Sequence, residues 1–192
     1  MNRTKKNIIE AAIKVFSSDG YKGATMDEIA SKAGVAKGTL YYNFNSKEQI
    51  FNYIIDLGMN HLTQQIADTI HSNLSAAIKL KDICRIQLTY FYENKDFVKV
   101  LFSQIWGSEQ RQVLLRDAIK RYVDSIEMII KEGIENNEIK AQDPSVLAHL
   151  FFGSITSTAM YDLINSDKNV DLDIIINTTL EFSLRGINAN LK

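Results

Sequence analysis

Apolar residues recur along this chain at intervals of three and four, the period of a helix with one buried face. Over residues 4–18, Ile8, Ile9, Ala12, Ile13, Val15 and Phe16 share one stripe, while Lys5, Lys6, Glu10 and Lys14 occupy much of the other face. Asp19-Gly20 should close this helix, glycine being the residue that adopts the closing left-handed conformation. Thr25 with Glu28 three residues on forms a capping box, and Asp27 adds favourable charge to the same first turn. A short second helix follows, stopping near Ala33-Gly34, and a third spans about 36–43. Ser46 and Gln49 form another capping pair, opening a fourth helix. Its stripe Ile50, Phe51, Ile54, Ile55, Leu62, Ile66 and Ile70 runs to about residue 72, on the order of 40 Å at 1.5 Å per residue.

The helical period persists to the C-terminus. It predicts helices over 77–94, 97–106 and 109–136, the last carrying Leu115, Ile119, Tyr122, Ile126, Ile129 and Ile130. Asp143 suits an N-cap and Pro144 the first helical position, so another helix should run from there to about Asn165. The last, over 172–187, places Leu172, Ile176, Leu180, Leu184 and Ile187 in near-heptad register. No strand pair, internal repeat or low-complexity tract interrupts the series. The expectation is an all-α chain of about nine helices.

Composition sharpens this. One proline in 192 residues, against roughly ten at average usage, fits long helices, from which proline is excluded by its missing N–H and its clash with the preceding turn. One cysteine rules out an internal disulfide. No apolar run reaches the roughly 18–20 residues of a membrane span, and Glu10 and Lys14 break any signal-peptide core. A cytoplasmic protein with no membrane partner is expected.

The net charge of −1 hides an asymmetry. Residues 1–50 hold eight basic side chains (Arg3, Lys5, Lys6, Lys14, Lys22, Lys32, Lys37, Lys47) and five acidic ones, a balance of +3. The remaining 14 basic and 18 acidic residues leave −4 for 51–192. Such a split marks an interaction module.

That module centres on residues 25–47. Two helices of about eight residues joined at Gly34 are too short to stand alone and require packing from the first and fourth. Ala30 is small where they would cross, and Ile29, Val35 and Leu40 would fill the core between them. The spacing fits a helix-turn-helix whose second helix enters the major groove of DNA. That helix offers Lys37, Gly38, Thr39, Tyr41 and Tyr42. Gly38 costs a helix about 1 kcal/mol relative to alanine, which close backbone approach to DNA would explain. Lysine, threonine and tyrosine donate to phosphate oxygens or base edges. Lys47 stands in a first helical turn, where a phosphate is also favoured, and Arg3, Lys5 and Lys6 form a flexible basic arm nearby.

The run Ile9-Glu10-Ala11-Ala12 to Phe16, Gly20-Tyr21, and Thr25-Met26-Asp27-Glu28-Ile29-Ala30 resembles the tetracycline-repressor (TetR/AcrR) family of bacterial transcription regulators. The likeness continues through Ala33-Gly34-Val35-Ala36-Lys37-Gly38-Thr39-Leu40-Tyr41-Tyr42-Asn43-Phe44 and Ser46-Lys47-Glu48, covering about the first 60 residues. Asn43 stands where the family often carries a ring. The resemblance implies a homodimeric repressor on a palindromic double-stranded operator. A small molecule entering the C-terminal domain would shift the fourth helix and release the DNA. It implies Thr25, Lys37, Thr39, Tyr41, Tyr42 and Lys47 as DNA contacts, a head at 1–48, and a helical ligand-binding and dimerisation domain at 49–192.

The last two helices match the family's dimerisation position. Phe151-Phe152-Gly153-Ser154-Ile155-Thr156-Ser157 mixes bulky and small residues as close helix approach requires. Phe151, Gly153, Ser157, Ile176, Leu180 and Leu184 are the expected interface, as part of a four-helix bundle between copies. Tyr90, Phe91, Phe102, Trp106, Tyr122, Phe152, Met160 and Tyr161 are expected to wall a pocket for a largely apolar effector. His61, His71 and His149 lack metal-ligand spacing, so neither metal nor cofactor is expected. Cys84 reads as buried filler, and Glu132, Glu135 and Glu138 as a solvated helix face. The rival classes are a helical protein-interaction module that has lost DNA binding and an enzyme. No P-loop, dinucleotide fingerprint, zinc-protease motif or nucleophile elbow supports the latter.

Overall fold

The computed structural model describes residues 2–164 and 171–188, the side chains of 162 and 186–188 excepted. Among the described residues are nine helices and no strand: α1 (Arg3–Gly23), α2 (Met26–Ala33), α3 (Lys37–Asn43), α4 (Lys47–Ile70), α5 (Ala76–Glu93), α6 (Lys95–Ser103), α7 (Gln110–Glu135), α8 (Pro144–Ile164) and α9 (Leu172–Asn188). This is the all-α architecture that the periodicity predicts. Asn165, the expected end of α8, and the side chain of Ile187 lie outside the described residues.

Local chemistry accounts for the boundaries. Asn2 Oδ1 accepts from the Lys5 backbone N–H at 2.8 Å, which starts α1 at Arg3. Arg3, Lys5 and Lys6 are therefore helical, and the flexible arm expected there is corrected. Lys5 Nζ lies 4.0 Å from the Tyr53 ring centroid and 5.1 Å from that of Phe44. Gly20 does interrupt α1, but with φ 70 and ψ 164. That backbone region is open essentially to glycine alone, and it kinks the helix before one further turn to Gly23. The capping box of α2 is formed: Thr25 Oγ1 accepts from the Glu28 N–H at 3.2 Å, and Glu28 Oε2 accepts from the Thr25 N–H at 3.0 Å. Gly34 ends α2 in the left-handed conformation (φ 66, ψ 34). At α8, Asp143 Oδ1 accepts from the N–H groups of Ser145 and Val146 at 2.9 and 3.1 Å, with Pro144 as first residue.

By internal packing the chain forms two compact units, Met1–Asn60 with Asn94–Ile119, and His61–Glu93 with Lys120–Lys192. These boundaries differ from the expected 1–48 and 49–192, because α6 and the start of α7 belong with the N-terminal helices. In the first unit Ile8, Phe16, Ile29, Leu40, Ile50 and Phe51 are buried, each contributing about 1.5–3 kcal/mol of hydrophobic stabilisation. Val35, expected among them, is only half-buried. Packing of α6 on α1 is reinforced by Ser17 Oγ donating to Asp96 Oδ1 at 2.7 Å. Gly58 lies so near Phe97 that a Cβ there would overlap the ring.

In the second unit α5 packs on α8 and α9, which pack on each other. Hydroxyl pairs join the last two: Ser154 with Ser183 at 2.7 Å and Thr158 with Thr179 at 3.2 Å. The end of α7 is tied to the start of α5. Buried Lys79 bonds both carboxylate oxygens of Glu132 at 2.8 and 3.0 Å, and Glu138 Oε2 accepts from the Ala76 N–H at 2.6 Å. Two of the three glutamates read as a merely solvated face thus form specific bonds between elements 53 and 62 residues apart in sequence.

Candidate functional site

The surface of α3 divides cleanly. Leu40 points into the core at 0% exposure, while Tyr41 is 43% and Tyr42 91% exposed. Lys37 and Gly38 share the outer face with them, being one helical turn earlier, and both are exposed; Thr39 is half-buried. A Cβ added at Gly38 would meet nothing within 4 Å. Among the described residues no neighbour requires glycine there. Lys37 Nζ pairs with Asp27 at 2.7 Å, both exposed, and this carboxylate raises the lysine's pKa. Such a pair is weak in water and leaves the cation available to a phosphate. Thr25 is exposed at the start of α2, with its hydroxyl also donating to Glu28 Oε2 at 2.9 Å.

Lys47 opens α4, in the first turn expected of it, and its ammonium is engaged within the protein. Its ammonium donates to the carbonyls of Tyr21 (2.8 Å), Lys22 (3.2 Å) and Ala24 (3.0 Å). An ammonium has three donors, and all are used in closing the end of α1. In the free protein Lys47 is a structural clasp, and its expected phosphate contact concerns the DNA complex.

The residues expected to wall one pocket fall in both units. Phe102 and Trp106 belong to the first unit, and Tyr90, Phe91, Tyr122, Phe152, Met160 and Tyr161 to the second. Trp106 is 82% exposed on a loop whose backbone is held from α7: Gln112 bonds its carbonyl, and Arg116 bonds those of Ile105 and Gly107. Met160 and Tyr161 are exposed on α8. The rest gather around the core of the second unit: Phe152 stands edge-on to Tyr122 at 6.1 Å, and Tyr90 lies 6.3 Å from Phe91. Burial pushes the Tyr90 hydroxyl up to about 12 and raises that of Tyr122 further. Buried Cys84 is likewise raised to about 12, so its thiol stays protonated. Sequence reading missed Gln87, fully buried beside Tyr122, whose hydroxyl donates to Gln87 Oε1 at 3.1 Å. Leu88, Phe91, Thr158, Ala159 and Ile175 line a nearby cavity of about 10 Å³, room for no more than one water.

The expected dimer residues are only partly at the surface. Phe151, Ile176 and Leu180 are 2, 2 and 5% exposed and packed inside their own protomer, so they are corrected to core residues. Gly153 and Leu184 are half-buried and Ser157 is exposed. The exposed apolar residues of these helices are others: Val146, Leu150, Ile164, Ile174 and Phe182, at 55–77%. Between α8 and α9 an open groove of about 510 Å³ is lined by Ser157, Tyr161, Ile174, Thr178 and Phe182 among others.

Comparison with known proteins decides what this assembly belongs to. Residues 8–54 match the family of bacterial regulatory proteins of the tetR type, and residues 73–160 match a tetracyclin repressor-like C-terminal domain. A Clostridium perfringens protein described as a fatty acid metabolism regulator is 44% identical, with a TM-score of 0.89 over 96% of this chain and 100% of that one. The chain belongs to the TetR family.

As a TetR-family protein it is a DNA-binding transcription regulator. The fatty acid metabolism regulator protein of Bacillus subtilis is 29% identical over 184 residues, 94% of each chain. The transcriptional regulator FadR of Bacillus subtilis, solved in complex with stearoyl-CoA, is 26% identical, with a TM-score of 0.85 over 95% of this chain and 99% of that one. Among the described residues no group of three or more His, Cys, Asp or Glu could hold a metal, and no helix is long and apolar enough to cross a membrane.

Proposed function

We propose that this chain is a homodimeric repressor whose operator affinity is lowered by a long-chain acyl-CoA. The observation that carries the effector class is the likeness, over nearly the whole of both chains, to a regulator solved with stearoyl-CoA. Residues 1–48 supply the reading head, and residues 49–192 supply effector binding and dimerisation. Thr25, Lys37, Gly38, Thr39, Tyr41 and Tyr42 are the DNA-contacting set. Their outward placement supports this, since an aromatic left 91% in water at Tyr42 has no packing role within its own chain.

The second unit supports an apolar effector. Its α5, α8 and α9 meet through Leu88, Phe91, Ala159 and Ile175 around the cavity of about 10 Å³. An acyl chain of 18 carbons needs several hundred Å³, the usual scale of ligand pockets. Binding therefore separates these helices, and the cost of that separation is what links the effector to the rest of the molecule. The dimer face is the exposed side of α8 and α9. Helix α8 carries apolar residues all round, and such a helix is buried on all sides; the described residues of its own chain bury the side bearing Leu147, Ala148, Phe151, Ile155 and Ala159 and leave Val146 and Leu150 exposed. A second copy covers Val146 and Leu150.

Titration calorimetry tests the effector class. Stearoyl-CoA should bind with one site per protomer, and coenzyme A alone should bind at least a hundredfold more weakly. Equal binding of both would show that the acyl chain is not what the protein recognises.

A further inference from the structure

Among the described residues of the second unit, one buried side-chain polar atom lacks a hydrogen-bond partner in its own protein. Gln87 is 0% exposed on α5, and its Oε1 accepts from the Tyr122 hydroxyl at 3.1 Å, while its Nε2 has no partner. Turning the amide over would only transfer the vacancy, because Nε2 would then face Tyr122 and Oε1 would be bare. A buried polar group without a partner is uncommon and calls for an explanation. Gln87 Oε1 satisfies the buried Tyr122 hydroxyl, and it is the second polar atom of the amide that calls for an explanation.

Ring contacts and helix-face spacing connect the amide to the cavity. Phe152 stands edge-on to Tyr122. Gln87 and Phe91 are four residues apart on α5, and Phe152 and Ala159 seven apart on α8, spacings that keep each pair on one helix face. Phe91 and Ala159 line the cavity. The amide and the cavity therefore follow one seam between packed helices. A hydrocarbon tail entering that seam brings no hydrogen bond; an acyl group brings one carbonyl oxygen.

We propose that Gln87, oriented by Tyr122, donates through Nε2 to the carbonyl oxygen of the effector's acyl thioester. It is thus the residue that separates an acyl thioester from a plain alkyl chain. The proposal rests on the acyl-CoA reading above. Among the described residues Nε2 has no protein partner, so the bond forms without breaking a hydrogen bond within the protein. Its gain falls to the ligand that carries the carbonyl, about tenfold to a hundredfold in affinity.

The test compares stearoyl-CoA with S-octadecyl-CoA, a thioether of equal chain length that lacks the carbonyl, on the full chain by calorimetry. Wild type should prefer the thioester about tenfold or more. Gln87→Leu should bind both ligands alike, and Tyr122→Phe should show a reduced preference. A merely structural role for Gln87 would leave the preference ratio unchanged. Equal binding of both ligands by wild type, or a wild-type preference retained in Gln87→Leu, overturns the proposal. Should Gln87→Leu not fold, Tyr122→Phe decides by the same ratio. Binding of neither ligand by wild type overturns the acyl-CoA reading itself.

Discussion

The guanidinium of Arg111 lies over the ring of Tyr21, with Cζ 3.9 Å from the ring centroid. Both residues are buried, at 6 and 8% exposure, and Lys47 Nζ stands 4.8 Å from the same ring. Two cations, from α7 and α4, therefore hold the last turn of α1, which leads directly into the Thr25 cap of α2. Burial raises the Tyr21 hydroxyl pKa; nearby Arg111 opposes the rise, and Glu48 and Glu109 reinforce it. The ring remains a neutral phenol at pH 7.

A desolvated cation over an aromatic face contributes about 1–2 kcal/mol. The cycle Arg111→Ala, Tyr21→Leu and the double variant, followed by urea unfolding, should show a coupling of about that size. Strict additivity would mean that the stacking does not stabilise the head.

Lys47 gives a second prediction, about electrostatics. Its ammonium is consumed by three carbonyls, so Lys47→Ala should cost roughly 1.5–3 kcal/mol of stability. It should leave the slope of log operator affinity against log salt unchanged, whereas Lys37→Ala should lower that slope by about 1. A unit change for Lys47→Ala would put its ammonium on a phosphate in the complex.

Gly38 separates folding from recognition. Alanine there meets open space and favours the helix, so Gly38→Ala should stabilise the free protein by about 0.5–1 kcal/mol. The added Cβ should nonetheless weaken operator binding at least tenfold, measured by fluorescence anisotropy. Undiminished affinity would show that the DNA does not approach this backbone.

Phe182 and Ile176 distinguish surface from core on α9. Phe182→Glu, at a position 72% exposed, should give monomers by light scattering with unchanged helicity. Ile176→Ala should leave the mass of the dimer alone and cost about 2–5 kcal/mol in unfolding. A dimer that survives Phe182→Glu places the interface elsewhere.

Much of this was legible along the chain because its signals are local. Thr25 with Glu28, Gly34, and Asp143 with Pro144 each act within one turn, and each closes or opens a helix where expected. The face of α9 was not legible. The Ile176–Leu180 stripe reports that those positions are buried, but a period cannot say whether the covering surface is the protomer's own α8 or a second copy. On α8, apolar on every side, the period carries no face at all. The Lys47 clasp was not legible for a related reason: its partners, the carbonyls of Tyr21, Lys22 and Ala24, lie 23–26 residues away and depend on the packing of α4 against α1. Gln87 carried no signal either, because one glutamine within an amphipathic helix becomes notable only once Tyr122 is seen to satisfy half of it.

The central claim is that the α3 surface and the acyl-binding core belong to one switch. Its most direct test is the anisotropy of a labelled operator fragment, bound by the wild-type protein and titrated with stearoyl-CoA. Release of the DNA as one acyl-CoA binds per protomer, with no release by coenzyme A alone, is the expected result. Operator binding that persists when the protein is saturated with stearoyl-CoA would contradict it.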